Sequence, residues 1–234
     1  MNETDKQNIN KKNIDFFSKN LNYQNNINQI DTYKILYNEI TEIIRDTNLL
    51  LDVGHGGCFD YDTTKVNKIV GLDLDEMIEK NSIPKNVKLE IGSALKIPEK
   101  LNNFDTILFV MLIHHLVGKN VNENIDNLNR CIQQSKKALS KNGRLIIVES
   151  CVPKWFYNIE KVVFKPTSYL INKFMKHPPA FQFTKEIISD SLIRNGFKNI
   201  NVKKVKQGKF ILQYGIKFPT ILTPVETIIF SANI

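Results

Sequence analysis

The sequence predicts an α/β chain built on a parallel, doubly wound sheet, and two observations carry that reading. Five short apolar runs of strand length follow one another through residues 49–150, separated by turns and helical patterns. The first of them, Leu49-Leu-Leu-Asp-Val-Gly-His-Gly-Gly57, ends in an acid and a cluster of glycines. A strand that passes into such a turn leaves backbone N–H groups and bare surface where a ligand can lie close.

In chain order, the first 28 residues are rich in Asn and Lys, with little apolar spacing after Phe16-Phe17. They read as a flexible arm (1–28) ahead of one domain (29–234). From Asp31 to Arg45, the spacing of Ile35, Leu36, Ile40, Ile43 and Ile44 predicts a helix, with Asp31 as its N-cap. The glycine turn lacks the Lys-Ser/Thr pair of a P-loop. Gly54 and Gly56 begin a dinucleotide fingerprint, but its third glycine position is Phe59. Asp52 is a poor partner for phosphate and a good one for an ammonium or a hydroxyl. The motif alone fits either a cationic nucleoside ligand or a turn with no ligand.

The second run, Ile69-Val-Gly-Leu-Asp73, also ends in an acid, placed where a ribose diol can be held by two hydrogen bonds. The third, Val87–Ile91, leads into Gly92-Ser-Ala-Leu-Lys-Ile-Pro98, and the fourth, Phe104–Met111, into Leu112-Ile-His-His-Leu116. A helical stretch over about 121–139 precedes Ser140-Lys-Asn-Gly143 and the fifth run, Arg144–Ser150. Beyond it, Trp155–Met175 is aromatic and aliphatic and is interrupted by Pro166, which predicts a helix pair over the strand ends. His177-Pro-Pro-Ala180 then breaks the helix, and 184–195 is a further helix capped by Thr184 and stopped by Gly196. Strands are expected at 199–205 and 226–232, with 210–218 an added strand or hairpin between them.

In order and spacing, residues 30–150 resemble the class I S-adenosylmethionine-dependent methyltransferases, in particular the small-molecule enzymes of types 11 and 12. The resemblance rests on the glycine motif at 52–57, Asp73, the Gly-Ser-Ala segment, Phe104-Asp105, the His-His-Leu run and the Ser-Lys-Asn-Gly-Arg turn. It implies a Rossmann-like sheet of about seven strands, mostly parallel, with an antiparallel C-terminal edge strand. It also implies S-adenosylmethionine as cofactor. Asp52, Gly54 and Gly56 would lie under its methionine portion, Asp73 would hold the ribose, and Leu74 would pack on the adenine. Ser93 and Ala94 would lie at the adenine edge and Phe109 beside the methionine arm, while residues 153–182 would form a substrate lid. The chain departs from the pattern at Ser93, where an acid is frequent, and at Cys58, where a third glycine would stand.

The chemistry expected is transfer of a methyl group to a small-molecule acceptor, at oxygen and with a histidine base. His115 is the first candidate, with His114 and His177 behind it; His55 reads as shaping the turn. The aromatic segment suggests an acceptor of apolar or lipid-linked character, or a surface that touches lipid. Residues 151–234 hold 13 Lys+Arg against 4 Asp+Glu, so the net charge of +8 comes entirely from that part. An RNA methyltransferase or RNA-binding protein would use such a face. The charges are mostly scattered singly, however, and no RNA-binding module is visible. A third reading is a protein that binds the cofactor without catalysis. No run of eighteen apolar residues suggests a membrane span, and three cysteines without a Cys-x-x-Cys suggest neither a disulfide framework nor a metal site. A cytoplasmic location is the expectation.

Overall fold

The computed structural model describes Lys11 and residues 30–75, 83–175, 178–213 and 216–234. The rest of the expected arm, and His177, lie outside the described residues. Helix α1 (Asp31–Ile44) buries Leu36, Ile40 and Ile44, one stripe at four-residue spacing. Ile30, not Asp31, occupies its N-cap position, and no side chain caps it. Asp31 is the first helical residue, where its carboxylate faces the positive end of the helix dipole.

The seven-stranded sheet comprises β1 (Leu49–Val53), β2 (Lys68–Asp73), β3 (Val87–Ile91), β4 (Phe104–Val110), β5 (Leu139–Cys151), β6 (Lys198–Lys204) and β9 (Glu226–Asn233). Their order is β3-β2-β1-β4-β5-β9-β6. All pairings from β3 to β5 are parallel, and β9 is antiparallel to both β5 and β6. The antiparallel strand thus stands one place in from the edge, which β6 occupies. The order reverses between β1 and β4, and ligands bind at such a switch point, outside the carboxyl ends of the strands.

Both faces of the central strands are covered, which explains why β1, β4 and β5 read as nearly continuous apolar runs. Successive residues face opposite ways. Leu50, Leu108, Ile146 and Ile229 pack on the α1 side, while Leu51, Ile107, Ile147 and Phe230 join the larger core on the other side. That larger core includes Leu128 and Ile132 of α2 (Val121–Ala138) and Ile188 and Leu192 of α4 (Lys185–Arg194). Both helices are capped as local chemistry dictates. Asn120 accepts from Glu123 N at 3.1 Å and Thr184 from Ile187 N at 3.3 Å.

Residues 154–175 form one helix, α3 (Lys154–Met175), where a pair broken at Pro166 was expected. Proline removes only one ladder hydrogen bond, and a helix of 22 residues continues past that loss. The insertion at 210–218 is a hairpin, β7 (Phe210–Gln213) with β8 (Ile216–Pro219), in a sheet of its own. Thr32 at the start of α1 anchors its base: its Oγ1 accepts from Gly208 N at 2.9 Å and donates to Phe210 O at 2.8 Å.

Candidate active site

Two groups of residues meet at the carboxyl ends of β1, β2, β4 and β5. The first is the glycine turn. Gly54 and Gly56 have φ of +75° and +59°, conformations that side chains rarely adopt. A Cβ on Gly54 would lie 2.6 Å from Leu112 Cδ1, whereas one on Gly56 would meet none of the described residues within 4 Å. Gly54 is therefore a packing requirement, and Gly56 leaves its space open.

Around this turn, Asp73 at the end of β2 accepts from Gly56 N at 2.8 Å and from Leu74 N at 2.7 Å. Asp52 is buried, and its Oδ2 accepts from Tyr61 Oη at 2.9 Å. Burial is the main force that pushes the Asp52 carboxyl up to about 8; the Tyr61 hydrogen bond opposes it, and the charges of Asp60 and Asp73 add to it. Among the described residues no cationic side chain pairs with it. His55 closes the turn by accepting from Gly57 N at 3.1 Å, and its ring lies 5.4 Å from that of Phe59. Burial lowers its pKa against the opposing pull of Asp73. Ser93 Oγ accepts from Leu95 N at 3.2 Å, and Gly92 N donates to Asp73 O, which ties the segment after β3 to the end of β2. Ala94 is buried, and Phe109 is wholly buried beside Val53 of β1 and Ile147 of β5.

The second group follows β4. Met111 takes a left-handed φ of +50°, and the next residue, Leu112, lies against Gly54. The chain then enters a single 3-10 turn, Ile113–His115. Leu112 thus brings the start of the histidine turn against the glycine turn. His114 Nδ1 lies 2.6 Å from Glu149 Oε1, and His114 N donates to Glu149 Oε2 at 3.2 Å. Glu149, fully buried near the end of β5, also accepts from Ser150 N at 2.7 Å. A carboxylate can only accept, so Nδ1 is the donor in that contact. His115 is buried, with Nδ1 3.5 Å from the Pro179 carbonyl.

Helix α3 roofs this group. Tyr157 and Phe164 meet Phe181 edge to face, and Glu160 Oε1 accepts from Gln182 N at 3.3 Å. Glu160 Oε2 and Gln182 Oε1 are buried and without a hydrogen-bond partner. Burial raises the Glu160 carboxyl to about 7, opposed by the Gln182 hydrogen bond and by His114. Among the described residues no cluster of His, Cys, Asp or Glu could hold a metal ion.

Of the residues expected from sequence, the structure gathers Asp52, Gly54, Gly56, Asp73 and Leu74 at one turn, with Ser93 and Ala94 after the adjoining strand. It places His114 and His115 in the turn that follows Leu112. Tyr61, Glu149, Glu160 and Gln182 were missed. Glu149 left a readable trace, a carboxylate inside the apolar run Leu-Ile-Ile-Val-Glu-Ser. The other three left none. A groove of about 630 Å³ lies at the opposite end of the sheet, lined in part by Arg45, Asp105 and Arg144. Two of its ionic groups serve the fold: Arg144 donates to Ile43 O and Asp105 accepts from Leu49 N.

The family model described as a methyltransferase domain matches residues 51–147, a span that carries the glycine turn, Asp73 and both histidines and ends before Glu149. Over that span the chain is similar to the methyltransferase-domain family. Solved structures agree on the fold. A Thermotoga maritima S-adenosylmethionine-dependent methyltransferase, described as a possible histamine N-methyltransferase, is 16% identical; the match covers 94% of this chain and 99% of that one, with a TM-score of 0.58. Geranyl diphosphate methyltransferase in complex with S-adenosylmethionine is 11% identical, with 86% and 84% covered and a TM-score of 0.57. The [4+2]-cyclase SpnF matches at 13% identity, 85% and 79% coverage and a TM-score of 0.57. Identities this low show the fold and leave the reaction open. No curated protein matches the chain.

The site fits the cofactor this methyltransferase domain implies. Among the described residues, the open space at Gly56 and a buried acid with no cationic partner suit an ammonium-bearing nucleoside. No described helix is long and apolar enough to cross a membrane.

Proposed function

We propose that this methyltransferase domain alkylates a hydroxyl oxygen of a small acceptor of apolar character, with His114 as general base. The observation that carries this reading is the 2.6 Å contact of His114 with buried Glu149, in the histidine turn whose start Leu112 brings against the glycine turn. When bound, the cofactor supplies an electrophilic methyl on a sulfonium, so the protein's task is alignment and the exclusion of water. Asp52 would hold its ammonium and Asp73 its ribose. Glu149 keeps Nδ1 protonated and steadies the imidazolium that forms as Nε2 takes the acceptor's proton. His115, the first candidate from sequence, has its Nδ1 turned to the Pro179 carbonyl and would position the turn.

General-base assistance supplies roughly 10²–10⁴-fold in rate. His114→Ala and Glu149→Gln should each lose on the order of 10²-fold in kcat on any hydroxylated acceptor found with methyl-labelled cofactor, while His115→Ala loses much less. Full turnover by His114→Ala would remove the base assignment. The RNA reading gains nothing from the structure. In its densest basic run, Lys203 pairs with Glu39 and Lys204 with Glu226.

A further inference from the structure

Helix α3 is apolar on two sides. Its inner face carries Tyr157 and Phe164, both buried under the roof of the site. On the outside, Trp155, Ile159 and Val162 are 59%, 51% and 82% exposed. They fall at i, i+4 and i+7, so they form one stripe about two turns long. Scattered exposed apolar residues are ordinary on a protein surface, but three aligned on one helix face mark an interaction surface.

Among the described residues of this helix, the exposed charges are Lys154 and Lys161. Between Cys151 and Thr184 the sequence holds five lysines (154, 161, 165, 173 and 176) and a single acid, Glu160. Glu160 is buried on the inner side, and Lys154 and Lys161 are exposed. A helix with Trp and aliphatic residues on its outer face, lysines beside them and no exposed acid matches the boundary between anionic headgroups and acyl chains. A protein partner with an acidic rim would match the lysines, but an anionic bilayer matches both the apolar stripe and the lysines beside it.

We propose that α3 seats on an anionic lipid surface through Trp155, Ile159 and Val162, with Lys154 and Lys161 at the headgroups. This extends the reading of an acceptor with apolar character, because the helix that docks is also the roof of the His114 site. An acceptor carried in the membrane would then arrive beneath it.

Trp155 is the only tryptophan of the chain, so its emission reports on the stripe directly. The full chain should be mixed with phosphatidylcholine vesicles, with and without phosphatidylglycerol as a third of the lipid. With the anionic vesicles the emission should shift to shorter wavelength, and the protein should sediment with them. Added salt should weaken the binding. Ile159→Ser/Val162→Ser, both at exposed positions, should keep the melting temperature and cofactor binding but lose vesicle affinity by about tenfold or more.

Absence of binding to anionic vesicles would overturn the proposal, as would equal binding by the double variant. Emission already at short wavelength without lipid would assign the stripe to another part of this chain. Concentration-dependent association in sedimentation would assign it to a second copy, and either result would also overturn the proposal. Cofactor binding is measured separately, so loss of lipid docking would leave the methyltransferase reading standing.

Discussion

Neutralising Asp52 gives the sharpest test of the cofactor site. Its carboxyl is pushed up to about 8, chiefly by burial, so at pH 6–7 it is mostly protonated before a ligand arrives. Pairing with the α-ammonium of S-adenosylmethionine or its demethylated product requires the ionised form. Binding below pH 8 must therefore release about one proton, and affinity must rise with pH. Each pH unit below the pKa costs about 1.4 kcal/mol, or about tenfold in Kd. Between pH 6 and 7 the Kd should fall about tenfold, and it should level off near 8, where the ligand's own amine begins to titrate. Calorimetry in two buffers of different ionisation enthalpy measures both the Kd and the proton count. Asp52→Asn can still accept the Tyr61 hydrogen bond, so the turn should survive with weaker binding that no longer depends on pH in this range. A wild-type Kd that is flat from pH 6 to 7, or the same slope in Asp52→Asn, would refute the pairing of Asp52 with the ammonium.

Three further outcomes follow from the same geometry. Gly56→Ala should fold with a loss of about 1 kcal/mol for its left-handed φ yet bind cofactor poorly, because its Cβ enters open space at the site. Gly54→Ala should be less stable by about 1–3 kcal/mol in denaturant titration, because its Cβ meets Leu112 at 2.6 Å. Equal stability of the two variants would contradict that division. Glu160 holds its proton to about 7 when folded and releases it at the ordinary, lower carboxylate value when unfolded. Stability due to this group is therefore present at low pH and declines as pH rises through that interval. Glu160→Gln should melt higher than wild type at pH 8 but not at pH 4, a comparison that thermal scans at the two pH values would settle.

The site divides according to how far apart its partners lie in the chain. Asp52, Gly54, Gly56 and Asp73 were legible because strand, turn and terminal acid are local patterns with fixed spacing. The glycines announce positive φ, and an acid that ends an apolar run announces a carboxyl strand end. The strands were legible for the same reason: a strand buried on both faces writes its apolar run into consecutive residues. The two corrections to the helices arose where local rules were read too strictly. Asp31 is a good N-cap residue, but the helix begins one residue earlier in its phase, and Pro166 lies within a helix long enough to absorb it.

What only the tertiary structure decided is which polar side chains meet. The sequence makes His114 and His115 equivalent neighbours. The fold distinguishes them by bringing Glu149, 35 residues away, to within 2.6 Å of one and the Pro179 carbonyl to the other. Tyr61 on Asp52 and Gln182 on Glu160 are likewise pairings across turns that no periodicity encodes. Apolar burial is additive and non-directional, so its pattern survives in a linear sequence. Hydrogen bonds and charge pairs depend on sub-ångström placement in a region of low dielectric, and that placement exists only once the β4 and β5 ends stand side by side.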